Sequence, residues 1–74
     1  MDKEKYVKGC LNGKTVAIIH ELPSEQSKII GYIGFMTDIV ICLDSEINGF
    51  YKIKTNFGIS GYCDGRKITF NEKG

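Results

Sequence analysis

Isoleucine does most to limit what this chain can fold into. Its 74 residues include eleven Ile and three Val against three Leu and one Ala. β-Branched side chains are stiff at χ1; they crowd a helical turn and pack well on a pleated surface, so this apolar set belongs in strands. Nine Gly and one Pro divide it into short runs. No window of eleven residues carries an apolar repeat at helical spacing free of Gly, and the expected fold class is therefore all-β. A chain this short buries only about 60% of its unfolded surface, which favours a sheet that curls on itself and hides its edges. The expectation is one domain over residues 1–74, a small β-barrel of five to seven short antiparallel strands.

Alternation along the chain places the strands. Tyr6 to Leu11 forms the first, followed by Asn12-Gly13, a strong hairpin signal, and a second strand at Lys14 to Glu21. Leu22 to Ser27 is a loop, because Pro23 cannot donate to a ladder and the serine hydroxyls favour turns. Ile29 to Ile33 and Thr37 to Leu43 are the third and fourth strands, the latter with Ile39 and Ile41 on the core face and Val40 and Cys42 turned outward. The cluster Asp44 to Gly49 is a turn. Phe50 to Thr55 and Ile59 to Cys63 form a hairpin about Asn56-Phe57-Gly58, and Asp64-Gly65-Arg66 makes a tight turn before a closing strand at Lys67 to Phe70. In the hairpin, Ile53 is expected opposite Ile59, Tyr51 opposite Gly61 and Phe50 opposite Tyr62. Tyr51, Ile53, Ile59 and Cys63 then face the core, while Lys52, Lys54 and Ser60 face out with Phe50 and Tyr62; slipping by one residue would bury lysines. Gly61 would leave room for Tyr51 to lie across it.

Charge and composition narrow the function classes. Ten Lys plus Arg balance nine Asp plus Glu, in alternating signs, so a nucleic-acid partner is not expected. The longest apolar run, Ile39 to Leu43, is far short of the roughly 20 residues a membrane span needs. Met1 to Lys5 carries both signs and leads into no apolar stretch; as given, the chain reads as cytoplasmic, or as wall-associated if it is part of a larger exported protein. Cys10, Cys42 and Cys63 have no paired C-x-x-C spacing, so neither a metal site nor a disulfide framework is expected. With His20 the single histidine, an enzyme is not expected, although a strand could bring Cys63 or Cys10 near it.

Two segments carry a family resemblance. Gly49-Phe50-Tyr51-Lys52-Ile53-Lys54, a short turn, and Gly58-Ile59-Ser60-Gly61-Tyr62-Cys63 are similar to the closing hairpin of bacterial Src homology 3 (SH3-type) domains. Upstream, Pro23-Ser24, Ser27, Ile30-Gly31 and Ile33 match a run of that family at the same spacing, and the resemblance covers roughly residues 15–68. Phe50 and Tyr62 stand where the family has tryptophans, and Ile18-Ile19-His20 where it has Asn-Val-Arg. The variants look most like small stand-alone members from Firmicutes and their prophages. The resemblance implies a barrel and a non-catalytic binding module, without cofactor, that recognises a bacterial cell-wall peptide or a protein partner.

Such a barrel binds extended peptide through aromatics lining a shallow groove. Tyr32, Phe50, Phe57 and Tyr62 are the candidates, with Phe57 the most telling, since an apolar ring at a loop tip has no folding role unless it packs back or meets a partner. Arg66 either grips a peptide carboxylate or pairs with Asp64. A second surface, Val40 and Cys42 with Ile47 nearby, would suit a structural or interaction protein and a possible homodimer.

Overall fold

A computed structural model describes residues 5–12, 16–34 and 37–70. Seven strands form one antiparallel sheet: β1 (Tyr6–Leu11), β2 (Ala17–His20), β3 (Ile29–Ile33), β4 (Asp38–Cys42), β5 (Phe50–Thr55), β6 (Ser60–Asp64) and β7 (Ile68–Phe70). Single turns of 3₁₀ helix at Leu43–Ser45 and Gly65–Lys67 complete the described elements. The strand order is β3-β2-β6-β5-β4-β1-β7. Laid flat, seven strands would make a slab roughly 30 Å wide and one layer thick. The molecule measures 31 × 24 × 22 Å, so the sheet is coiled around its apolar face. Every strand contributes to the resulting core, and Ile19, Ile33, Ile41 and Ile53 are completely buried in it.

The coil does not close. β3 and β7 remain edges of the hydrogen-bonded sheet rather than pairing with each other. Both edges are short or irregular: β7 has three residues, and β3 carries a bulge at Ile30, where the pairing jumps from Ile19↔Gly31 to His20↔Ile29. Short and bulged edges discourage pairing with other chains. The Asn12-Gly13 hairpin expected between the first two strands is not formed as a ladder. β1 pairs with β4 and β7, β2 with β3 and β6, and the Asn12 amide donates to the Lys67 carbonyl at 2.7 Å. Gly13, Lys14 and Thr15 lie outside the described residues.

The β5–β6 hairpin keeps the expected faces but shifts the expected register by two residues. Ile53 pairs with Gly61, Tyr51 with Cys63 and Phe50 with Asp64. The three-residue loop at 56–58 is as expected, and it is this loop that requires the observed pairing: with Thr55 opposite Ile59, Ile53 falls opposite Gly61 and not Ile59. Thr55 Oγ1 accepts from the amides of both Phe57 and Ile59 at 3.2 Å, and the Thr55 amide donates to the Ile59 carbonyl, so the ladder runs to the edge of a three-residue loop. Gly58 closes that loop at φ +93°, a conformation costly for a side chain. Tyr51 therefore does not lie across Gly61. It lies across Gly65, where an added Cβ would come within 2.8 Å of the ring, and meets Phe70 edge to face at 5.2 Å.

All three cysteines are free thiols. Cys63 faces the core, and burial, with the Asp64 carboxylate beside it, pushes its pKa up to about 11. At neutral pH it is almost wholly protonated and a poor nucleophile. Cys42 is equally buried, while Cys10 is part-exposed. Iodoacetamide is thus expected to label one thiol per chain, Cys10, under native conditions and all three in denaturant. Rapid native labelling of Cys63, read by mass spectrometry, would contradict this packing.

Candidate functional site

The anticipated aromatic face is not assembled as expected. Phe50 is only 6% exposed. It lies on the face of β5 opposite the main core, but its ring packs edge to face on His20 at 5.8 Å, and its amide and carbonyl are bonded to Ile47. Phe57 is 77% exposed, at the hairpin tip, about 17 Å along the strand from the Phe50 end. Tyr62, part-buried, pairs with His20 and Lys52, and Tyr32 stands exposed on β3 opposite Ile18. Arg66 is held by Asp64: Nη2 donates to Oδ2 at 2.8 Å, while Nε and the backbone amide donate to Oδ1. The guanidinium holds the Asp64 carboxyl below the usual carboxylate range.

The second expected surface is also altered. Cys42 is 1% exposed and does not face water, and Val40 is half-buried; of the three, Ile47 alone is open. Ser45 ties the chain down beside Cys42. Its hydroxyl donates to the Cys42 carbonyl at 2.7 Å and accepts from the Lys52 amide at 2.8 Å, fastening the β4–β5 connection at this end of both strands.

A different site emerges where β2 ends. The Glu21–Lys28 loop folds back on itself. The Glu21 amide donates to the Lys28 carbonyl, the Leu22 amide to Ser27 Oγ at 2.9 Å and the Gln26 amide to Ser24 Oγ at 3.2 Å. This presents the Ser27 carbonyl to His20 Nδ1 at 3.0 Å. A carbonyl only accepts, so Nδ1 carries the hydrogen, and in the neutral ring Nε2 is the acceptor. His20 is 7% exposed, and its ring has one hydrogen bond among the described residues, the one to Ser27. No buried side-chain nitrogen or oxygen among the described residues lacks a partner.

His20 lines a groove of about 310 Å³. Val16, Ile18 and Ile29 wall it, His20 and Phe50 form its ring-lined part, and Glu25, Asp64 and Lys67 supply charges of both signs. A smaller hollow of about 190 Å³ lies among Lys8, Asp38, Val40, Lys54 and Asn56. Five of the eight large apolar side chains exposed among the described residues, Val16, Ile18, Leu22, Ile29 and Tyr32, belong to β2, β3 or their immediate flanks. Of the sequence candidates, the groove contains Phe50 alone; it adds His20 and the three aliphatic walls. The sign available in sequence was a second apolar series on β2, where Val16 and Ile18 alternate with the inward Ala17 and Ile19.

No helix among the described residues is long and apolar enough to cross a membrane, and no cluster of His, Cys, Asp and Glu among them could hold a metal. Comparison with family models, with curated proteins and with solved structures finds no match to this chain.

Proposed function

We propose that the chain is a non-catalytic peptide-binding module of the bacterial SH3 type, and that the groove beside His20 and Phe50 receives the peptide. The observation that carries this reading is the groove itself: aliphatic walls with a histidine and a few charged residues are the usual make-up of a ligand site, and its volume is at the small end of that class. The resemblance of the hairpin and of the Pro23-to-Ile33 run to bacterial SH3-type domains makes a cell-wall peptide the first ligand to try.

Sedimentation with purified peptidoglycan tests it. The protein is expected to pellet with the wall, and Ile18→Asp to stay in the supernatant with little change in melting temperature, since Ile18 is 39% exposed. A parent protein that never pellets removes the wall as ligand. A second reading, docking of another protein on the outer side of β2 and β3, is favoured by the five large apolar residues exposed there.

A further inference from the structure

We infer that His20 Nε2 is the specificity-determining acceptor of this groove, and that its ligand is a neutral peptide segment presenting an amide N–H beside an aliphatic side chain. The inference rests on the groove being a ligand site and adds the chemistry of what enters it. Three observations converge. Ser27 takes the hydrogen on Nδ1, and in the neutral ring this leaves Nε2 with a lone pair and no hydrogen to give. The ring is more than nine-tenths buried, so its direction is set by packing on Phe50 and by the Ser27 bond rather than by solvent. The charges facing the groove do not favour a net ionic ligand: Glu25 and Lys67 are of opposite sign, and Asp64 is already engaged by Arg66. What the groove offers is an acceptor at His20 in its neutral form and apolar walls at Val16, Ile18 and Ile29. A peptide amide with a Leu-like side chain matches both. A carboxylate or ester oxygen would set an acceptor against the Nε2 lone pair.

The probes are N-acetyl-leucine N-methylamide, with two N–H donors, and N-acetyl-N-methyl-leucine methyl ester, with the same side chain and none. Titrations of ¹⁵N-labelled protein are expected to shift the amides of Ile18, Ile29 and Phe50, with the donor-free compound bound about five- to tenfold more weakly, the net value of one hydrogen bond. The His20 Nε2 resonance should move with the diamide and not with the ester. His20→Asn can still offer an N–H to the Ser27 carbonyl but has no Nε2, and it is expected to bind the two compounds equally. Should that variant fail to fold, the two-probe comparison and the Nε2 signal on the parent protein decide the matter alone. Equal binding of both compounds by the parent overturns the acceptor role and leaves the groove standing. Absence of any shift at the groove with either compound overturns the groove and this inference together.

Discussion

Phe50→Ala is expected to lower stability by about 3–5 kcal/mol, the range for removing a buried aromatic ring. A chain of this size has on the order of 4–11 kcal/mol in total, so the variant should be partly unfolded near its physiological temperature. The ring is 6% exposed, stands edge to face on His20 and begins the strand whose opening is bonded to Ile47. Its deletion leaves a cavity between the β2 end and the β5 end that neither backbone can fill, because β2 and β5 are each paired to β6. Phe50→Leu keeps most of the volume and should cost much less. Urea unfolding is the measurement. A loss below about 1 kcal/mol for Phe50→Ala would mean that the ring lies on a surface and that the groove is shaped otherwise.

The alternation that put Phe50 on the outer face was sound as far as it went. Phe50, Lys52 and Lys54 do share a face of β5, opposite Ile53 and Thr55. What period-2 reasoning cannot carry is which outer positions a distant segment covers. Here His20 and the Ser45 turn cover one end of that face and leave Lys54 in the open. The strands themselves were legible. β1, β3 and β5 run over the residues that alternation assigns, and Ile39, Ile41 and Ile53 are core, with Tyr51 and Ile59 packed against it. Pairing was less so. A turn signal such as Asn12-Gly13 speaks only of its neighbours, whereas β1 found its partners some thirty and sixty residues on, in β4 and β7. The groove was least legible of all. It needs a histidine held by a carbonyl seven residues away and an aromatic thirty residues away, and neither spacing is a pattern in the chain.

The same distant approach makes Gly61, the one glycine of β6, a sensitive position. Gly61 pairs with Ile53 on one side, while β2 runs along the other with His20 opposite Tyr62. A Cβ built at Gly61 would come to 2.6 Å from the His20 carbonyl oxygen, 2.6 Å from Ile19 Cγ2 and 2.8 Å from Ile30 Cδ1. The carbonyl is backbone and cannot rotate away, so β2 must move off β6 as a unit. Because the first carbon makes the whole clash, Gly61→Ala should cost nearly as much as Gly61→Val, about 3 kcal/mol in each case, at the upper end of overpacking losses. Gly9 is comparable, since a Cβ there would meet the Thr69 carbonyl oxygen at 2.6 Å, whereas Gly65 and Gly34 differ. At Gly65 the nearest obstacle is the Tyr51 ring, a side chain able to shift, with the Gly49 carbonyl oxygen next at 3.1 Å, and at Gly34 the nearest atom is Thr37 Oγ1 at an ordinary 3.7 Å. The expected order of destabilisation is Gly61→Ala well above Gly65→Ala, with Gly34→Ala close to neutral. For a domain of this size, about 3 kcal/mol corresponds to a fall in melting temperature of roughly 12–24 °C. Displacing β2 also displaces His20, so any Gly61→Ala protein that does fold should lose the preference for the diamide over the ester. A variant that melts within about 2 °C of the parent would show that β2 and β6 do not approach this closely, and the position assigned to His20 would fall with that contact.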